Sequence, residues 1–186
     1  MVKNVRDEKK KLKRKENIKW SLTLAISAFL ISMVLSFISE LAMQNVNILI
    51  GTIVILIFIS IGVLFDTIGV AVTAADEAPF HAMSSKQVKG ARMAVSLKKQ
   101  ASKVSSFCCD VIGDICGIIS GAAGVAVAVE MSKVFNMPAM LASLIVTGII
   151  AALTIGGKAF EKPIAIDKGT NILFAFAKVL SIFSRN

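Results

Sequence analysis

The chain has 186 residues, of which 55% are hydrophobic and 18% are charged, and its formal net charge is +9. Soluble domains carry about 25% charged residues, so this composition excludes an ordinary soluble enzyme and indicates a membrane protein with several spans. The basic residues form clusters between long uncharged blocks, whereas a soluble nucleic-acid-binding protein would spread them over a folded surface. We therefore expect no nucleic-acid partner.

Residues 1–19 form a basic tail with nine lysines and arginines against three acidic residues. We expect this tail to lie in the cytoplasm, either disordered or as a helix on anionic lipid. Residues 20–39 follow without a single charge. At about 1.5 Å per residue they are long enough to cross a hydrocarbon core of about 30 Å, so they predict an additional, uncleaved first transmembrane helix.

Three further apolar blocks are long enough to cross the bilayer. They cover residues 48–65, 104–129 and 139–157. The 78–103 loop carries six basic residues and no acidic one. Since basic loops remain in the cytoplasm, this loop and both termini are predicted to lie on the cytoplasmic side of the plasma membrane. Residues 170–186 predict an amphipathic helix at the membrane surface, because their apolar run is too short to cross.

The predicted fold class is therefore all-α: a polytopic membrane protein with four transmembrane helices, a basic cytoplasmic helical loop and a C-terminal amphipathic interfacial helix. The second helix is expected to continue through Asp66 towards Glu77, where Pro79 follows. The fourth helix is expected to end among Lys158, Glu161 and the residues up to Pro163.

Acidic residues inside the predicted spans are the first functional signal, since carboxylates in a membrane usually face a partner, a cavity or an ion. Asp110 and Asp114 lie about 40° apart on a helix, with Gly117 and Gly121 on the same stripe. A second stripe on the preceding span carries Asp66, Thr73 and Glu77 within about 60°. Carboxylate, hydroxyl and carbonyl oxygens are the ligands of hard divalent cations such as Mg²⁺. Two such stripes facing each other would make a metal site.

Structural explanations of the same residues stay open at this point. Either aspartate can be protonated in a low-dielectric interior, or can pair with Lys158 or a hydroxyl and serve packing alone. Glycines at small-xxx-small spacing, such as Gly117 and Gly121, are also common devices for close helix packing.

Enzyme activity is not expected. The sequence has no nucleophile elbow, no P-loop lysine motif and no histidine-rich cluster. The three cysteines, Cys108, Cys109 and Cys116, lack metal-site spacing and are interpreted as small packing residues.

From about residue 47 to residue 183, the order of features resembles the transmembrane domain of the CNNM/CorB/CorC magnesium transporters. Residues 73–77 (Thr-Ala-Ala-Asp-Glu) are similar to that family's small-residue stretch with Ser and Glu, so Glu77 matches and Asp76 stands at the Ser. Residues 90–92 (Gly-Ala-Arg) are similar to its basic hairpin, and residues 113–118 to its Asn- and Gly-bearing span. Residues 157–165 resemble its Gly-Glu-x-x-Pro-Lys-Ser-x-Ala segment, with Lys158 at the Glu.

The resemblance divides the chain into the tail, the additional helix over 20–39, a CNNM/CorC-like transmembrane domain over 47–169 and the juxtamembrane helix over 170–186. It implies a homodimer that transports Mg²⁺, and Co²⁺ as a second ion. The regulatory CBS domains of such transporters have no counterpart in these 186 residues, and the resemblance leaves open whether a separate cytosolic partner supplies regulation.

The sequence therefore predicts divalent-cation transport across the plasma membrane, with membrane lipid, the cation and a second copy as partners. The candidate metal ligands are Asp66, Thr73, Asp76, Glu77, Asp110 and Asp114, with Lys158, Gly117 and Gly121 beside them. The alternative is a scaffold or regulator that retains the transporter fold without transporting. A third, weaker alternative is an anionic-lipid-binding or pore-forming protein that depends on the basic tail.

Overall fold

A computed structural model describes residues 2–42 and 47–183, and within these ranges the chain consists of helices and their short connections. The helices, in chain order, are α1 (Val2–Ala42), α2 (Ile48–Ala74), α3 (Ala78–Ser85), α4 (Ala91–Lys99), α5 (Ala101–Ser106), a π segment (Phe107–Gly113), α6 (Asp114–Val134), α7 (Ala139–Asp167) and α8 (Gly169–Phe183). The predicted all-α fold is confirmed.

Four helical stretches are long and apolar enough to cross a membrane, as predicted. They are Ile18–Leu41, Ile48–Ala74, Ala101–Val134 and Ala139–Asp167. The third combines α5, the π segment and α6 into one continuous rod. The chain is therefore a multi-pass membrane protein by the length and composition of its helices.

The helix that contains the first span extends further towards the N-terminus than the span itself. Helix α1 begins at Val2, so the backbone of the basic tail is helical and continuous with the span instead of being disordered or separate. Lysine, arginine and glutamate are good helix formers, and residues 2–42 contain neither glycine nor proline to interrupt them.

The fourth span also continues past its predicted end. Helix α7 runs through Pro163 to Asp167. A proline removes one backbone donor, but membrane helices tolerate it where neighbouring groups compensate. The consequence for function is direct, because Lys158 and Glu161 lie on a regular helix instead of at its frayed end.

Helix α2 is the centre of the bundle and packs against both α6 and α7. Their shared core contains Ile55 and Ile59 of α2, Ala123 and Val127 of α6, and Val146 and Ile150 of α7. Helix α1 packs along the outer side of α6 and the π segment, through Leu24, Ala28, Ile31 and Leu35. Most of the other large apolar side chains described between Ile18 and Leu41 are exposed, as expected of a peripheral helix in lipid.

A second core joins the C-terminal end of α2 to α4 and α8. Val72, Phe80, Ala94, Leu173 and Ala177 are all buried there. The Lys98 ammonium donates to the backbone oxygens of Val72 (3.2 Å) and Thr73 (2.9 Å), two of the carbonyls that the end of α2 leaves unpaired. A basic group at a helix C-terminus also complements the helix dipole.

Glycines set the distance between α2 and the third span. A Cβ added at Gly62 would lie 3.1 Å from the Cys116 Cβ and 3.4 Å from the Gly113 carbonyl oxygen. About two turns further along α2, a Cβ at Gly69 would collide with the Cys109 sulfur and lie 3.2 Å from the Ser105 carbonyl oxygen. The two backbones therefore approach too closely for side chains at these positions.

We expect Gly69→Ala to lower the free energy of unfolding by about 1–3 kcal/mol, because overpacking forces the neighbouring rod to move. Gly148→Ala on α7 is the matched control, since a Cβ there meets no heavy atom within 4 Å. It should leave stability unchanged or raise it by up to about 1 kcal/mol through helix propensity. Thermal unfolding of the purified proteins in detergent measures both, and equal midpoints would contradict the packing described here.

Candidate functional site

Three charged side chains from three spans meet beside the crossing of α2 with the third span. The Lys158 ammonium of α7 lies 3.5 Å from Oδ2 of Asp66 on α2 and 3.7 Å from Oδ1 of Asp114 on α6. We call this group the α2–α6–α7 site. Its lysine places one positive charge beside two carboxylates that both lie within candidate spans.

Burial differs across the α2–α6–α7 site. The side chain of Asp66 is 16% exposed and that of Lys158 is 29% exposed, whereas the side chain of Asp114 is 65% exposed. The site is therefore more enclosed at Asp66 on α2 than at Asp114 on α6.

Local packing explains why these side chains meet. At Gly113 an added Cβ would lie 3.7 Å from both Asp66 Oδ1 and the Gly62 carbonyl oxygen, which places Asp66 directly against the third span. At Gly157 the same added atom would lie 3.0 Å from a methyl group of Val63, so α7 also approaches α2 closely just before Lys158. The π segment ends at Gly113, immediately before Asp114, and single π turns inside helices are frequent at functional sites.

Glu161 is a fourth charged residue beside the site. It is only 8% exposed, and neither of its carboxylate oxygens has a hydrogen-bond partner among the described residues. Asp66 and Lys158 are near enough for their charges to act on it. The sequence reasoning missed Glu161 because it placed this residue beyond the end of the fourth span. Its spacing of three residues from Lys158, which puts both on one helix face, could have indicated it.

Three predicted ligands lie at or beyond the end of α2 instead. Helix α2 ends at Ala74 and does not reach Glu77 as predicted, so Thr73 lies in its last turn and Asp76 and Glu77 lie beyond it. The Thr73 hydroxyl donates to the Val70 carbonyl oxygen at 2.7 Å, and the Asp76 backbone N–H donates to the Thr170 hydroxyl at 3.3 Å. Glu77 pairs with Nε2 of His81 at 3.0 Å. The structure therefore does not bring these residues to Asp66 and Asp114.

Asp110 also lies apart from Asp114, in a groove of about 600 Å³ between α1 and the start of the third span. The groove is lined by Trp20, Ser21, Leu24, Ser102, Lys103, Ser106 and Asp110. The Lys103 ammonium sits 5.0 Å from the centre of the Trp20 ring, a distance typical of a cation–π contact. Asp110 therefore faces a polar groove beside α1.

The two glycines of the acidic stripe have different surroundings from their neighbours. A Cβ added at Gly117 or Gly121 meets no heavy atom within 4 Å. Gly124, one turn further, is in contact with Ile150 and Val146 of α7. Helices α6 and α7 thus touch at Gly124 and at the Asp114–Lys158 pair, and Gly117 and Gly121 face open space between these contacts.

The carboxylates do not form a preassembled metal cage. Within residues 2–42 and 47–183, no three His, Cys, Asp or Glu side chains are grouped closely enough to hold a metal ion together. Asp66 and Asp114 instead form an open pair with an ammonium between them. Such a pair fits Mg²⁺ only if water completes the shell, which is how Mg²⁺ is commonly bound by one or two carboxylates.

Comparison with known proteins assigns no role to the residues of this site. Neither the family models, the curated proteins nor the solved structures compared with the chain match it. Its function has to be argued from the side chains themselves.

We expect Lys158→Gln to lower the free energy of unfolding by about 1–3 kcal/mol, because it leaves the mostly buried Asp66 carboxylate without its cation. The double variant Asp66→Asn/Lys158→Gln should lose less than the sum of the two single variants, as interacting residues do. Lys162→Gln is the control, since Lys162 is exposed on the same helix. Unfolding in detergent measures the stability of each variant. Equal stabilities of Lys158→Gln and Lys162→Gln would contradict the pairing.

Proposed function

We propose that this chain transports divalent cations across the plasma membrane, Mg²⁺ first and Co²⁺ second, through the α2–α6–α7 site. The observation that supports this proposal is the convergence of two carboxylates from different spans on one positive charge, at 3.5 and 3.7 Å. Acidic residues are rare within spans, and where they converge they commonly mark an ion route.

The position of the site supports the same function. Asp66, Asp114 and Lys158 all lie within candidate spans and not in the connections between them. A binding site at such a depth, reached through the exposed Asp114, is the position from which an ion can be passed from one side to the other.

Charge and ligand chemistry favour a hard divalent ion as cargo. Two ionised carboxylates match the charge of one divalent cation, and their oxygens are the atoms that Mg²⁺ prefers. The exposed side at Asp114 leaves space for the water molecules that Mg²⁺ retains.

The other predicted ligands take outer positions in this proposal. Thr73, Asp76, Glu77 and Asp110 are all exposed and lie apart from the α2–α6–α7 site. Thr73 is in the last turn of α2, Asp76 and Glu77 lie beyond it, and Asp110 lines the groove beside α1. There they would attract hydrated cations and raise the local concentration next to the route.

We further propose a homodimer with both termini in the cytoplasm. The clusters of basic residues support the orientation. The open space at Gly117 and Gly121, next to the exposed Asp114, offers a surface on which a second copy can pack closely.

Proteoliposomes loaded with a Mg²⁺-sensitive dye test the transport. Wild type should take up Mg²⁺, and Asp114→Ala and Asp66→Asn should each abolish uptake because the remaining carboxylate cannot neutralise a divalent ion. Glu130→Gln is the matched control, since Glu130 pairs with Lys133 at 2.6 Å on the exposed surface near the end of α6. Uptake by Asp114→Ala at the wild-type rate would contradict the proposal.

A scaffold or regulator that retains this architecture is the second candidate. Lys158 favours it, because an ammonium already offsets one of the two negative charges of the carboxylate pair and can act as a permanent structural link. Folded wild-type protein that takes up neither Mg²⁺ nor Co²⁺ would support this candidate over transport.

A further inference from the structure

Lys158 occupies the position that a transported cation would need. Its ammonium group lies between Asp66 and Asp114, within 4 Å of an oxygen of each. An ammonium is a compact, strongly hydrated point charge on a flexible stem, so it satisfies the same two carboxylates that a divalent ion would bind. Both cannot be there together, because two cations at that distance would repel each other strongly.

Glu161 offers the ammonium another position. It lies on the same helix three residues beyond Lys158, where side chains are neighbours about 5–6 Å apart at Cβ. Its carboxylate is nine-tenths buried and has no hydrogen-bond partner among the residues described. A buried carboxylate without a partner is costly, so a nearby ammonium that swings towards it would be stabilised.

We propose that Lys158 is a tethered competitor for the cation site, which pairs with Asp66 and Asp114 when the site holds no ion and moves to Glu161 when a divalent cation binds. This inference rests on the transport function proposed above. In the ion-free state, Lys158 offsets one of the two aspartate charges. In the ion-bound state, the two aspartates neutralise the divalent ion, and Glu161 neutralises the displaced ammonium.

The competitor sets the affinity of the site and returns when the ion leaves. Because Lys158 must be displaced, binding is weaker than two carboxylates alone would give. Weak binding favours release, which a transporter requires as much as capture. Lys158 is thus an affinity-setting residue, and Glu161 is a positioning residue that acts through it.

Calorimetric titration of Mg²⁺ and Mn²⁺ into the purified full chain tests the competitor. Lys158→Gln should bind either ion at least about tenfold more tightly than wild type, because the repelling charge is removed. Lys162→Gln, on the exposed side of the same helix, should bind as wild type does. An affinity of Lys158→Gln equal to or lower than that of wild type would overturn the proposal.

Lys158→Arg keeps the proposal testable if the glutamine variant does not fold. A guanidinium holds carboxylates with two parallel hydrogen bonds, so it should be displaced less readily and the divalent affinity should fall below that of wild type. An equal or higher affinity in folded Lys158→Arg would contradict competition.

A double-mutant cycle with Glu161→Gln tests the second position. In the wild-type background this substitution should weaken divalent binding by about tenfold or more, since the displaced ammonium loses its partner. In the Lys158→Gln background it should have no effect. Equal weakening in both backgrounds would make Glu161 a direct ligand and overturn its role as acceptor of Lys158.

The same measurements separate this inference from the transport function. If neither folded wild type nor Lys158→Gln binds a divalent ion and neither mediates uptake, the transport function fails. If wild type binds and transports while Lys158→Gln does so with unchanged affinity, only the competitor fails.

Discussion

Charge compensation within the membrane is the constraint on which this structure depends. A carboxylate in a span is expensive unless it has a partner, and Asp66, on the helix at the centre of the bundle, is mostly buried. Lys158 supplies the partner, but only because glycines at positions 62, 113 and 157 let α2, the third span and α7 approach each other. The electrostatics of the site therefore depend on the packing of the three helices, because the glycines that allow the close packing also bring the charged side chains together.

The sequence predicted the four spans because apolar length is a local property. Each uncharged block is long enough to cross the bilayer, and nothing elsewhere in the fold can change that. Helix ends were less predictable. Pro163 and the charges around it indicated a stop, yet α7 continues to Asp167. The tail was expected to be disordered or a helix on anionic lipid, and the α1 backbone is helical from Val2 and continuous with the span. A local breaker or a polar run does not decide where a helix ends when the flanking residues favour helix.

Helical phase predicted part of the site and could not predict the remainder. The 3.6-residue period places Asp66, Thr73 and Glu77 on one face, but it says nothing about which of them lies level with the crossing at Gly62. Only Asp66 does. The phase argument for Asp110 and Asp114 assumed an α-helix, whereas the π segment changes the register just where these residues lie. Glu161 was missed because the assigned end of the span preceded it.

Lys158 is the residue at which the two candidate functions diverge, and its neighbours bear on the choice. A purely structural lysine needs only the two aspartates as partners. A third carboxylate beside it would add a desolvation cost without a compensating interaction. Glu161 is nevertheless buried next to this pair with both oxygens unpartnered among the described residues. In the competitor mechanism proposed above, this acidic group receives the ammonium when a divalent ion displaces it from Asp66 and Asp114. A mobile counter-charge has a use in a cation transporter, because it offsets one of the two negative charges of the ion-free pair. A static scaffold has no corresponding need for it.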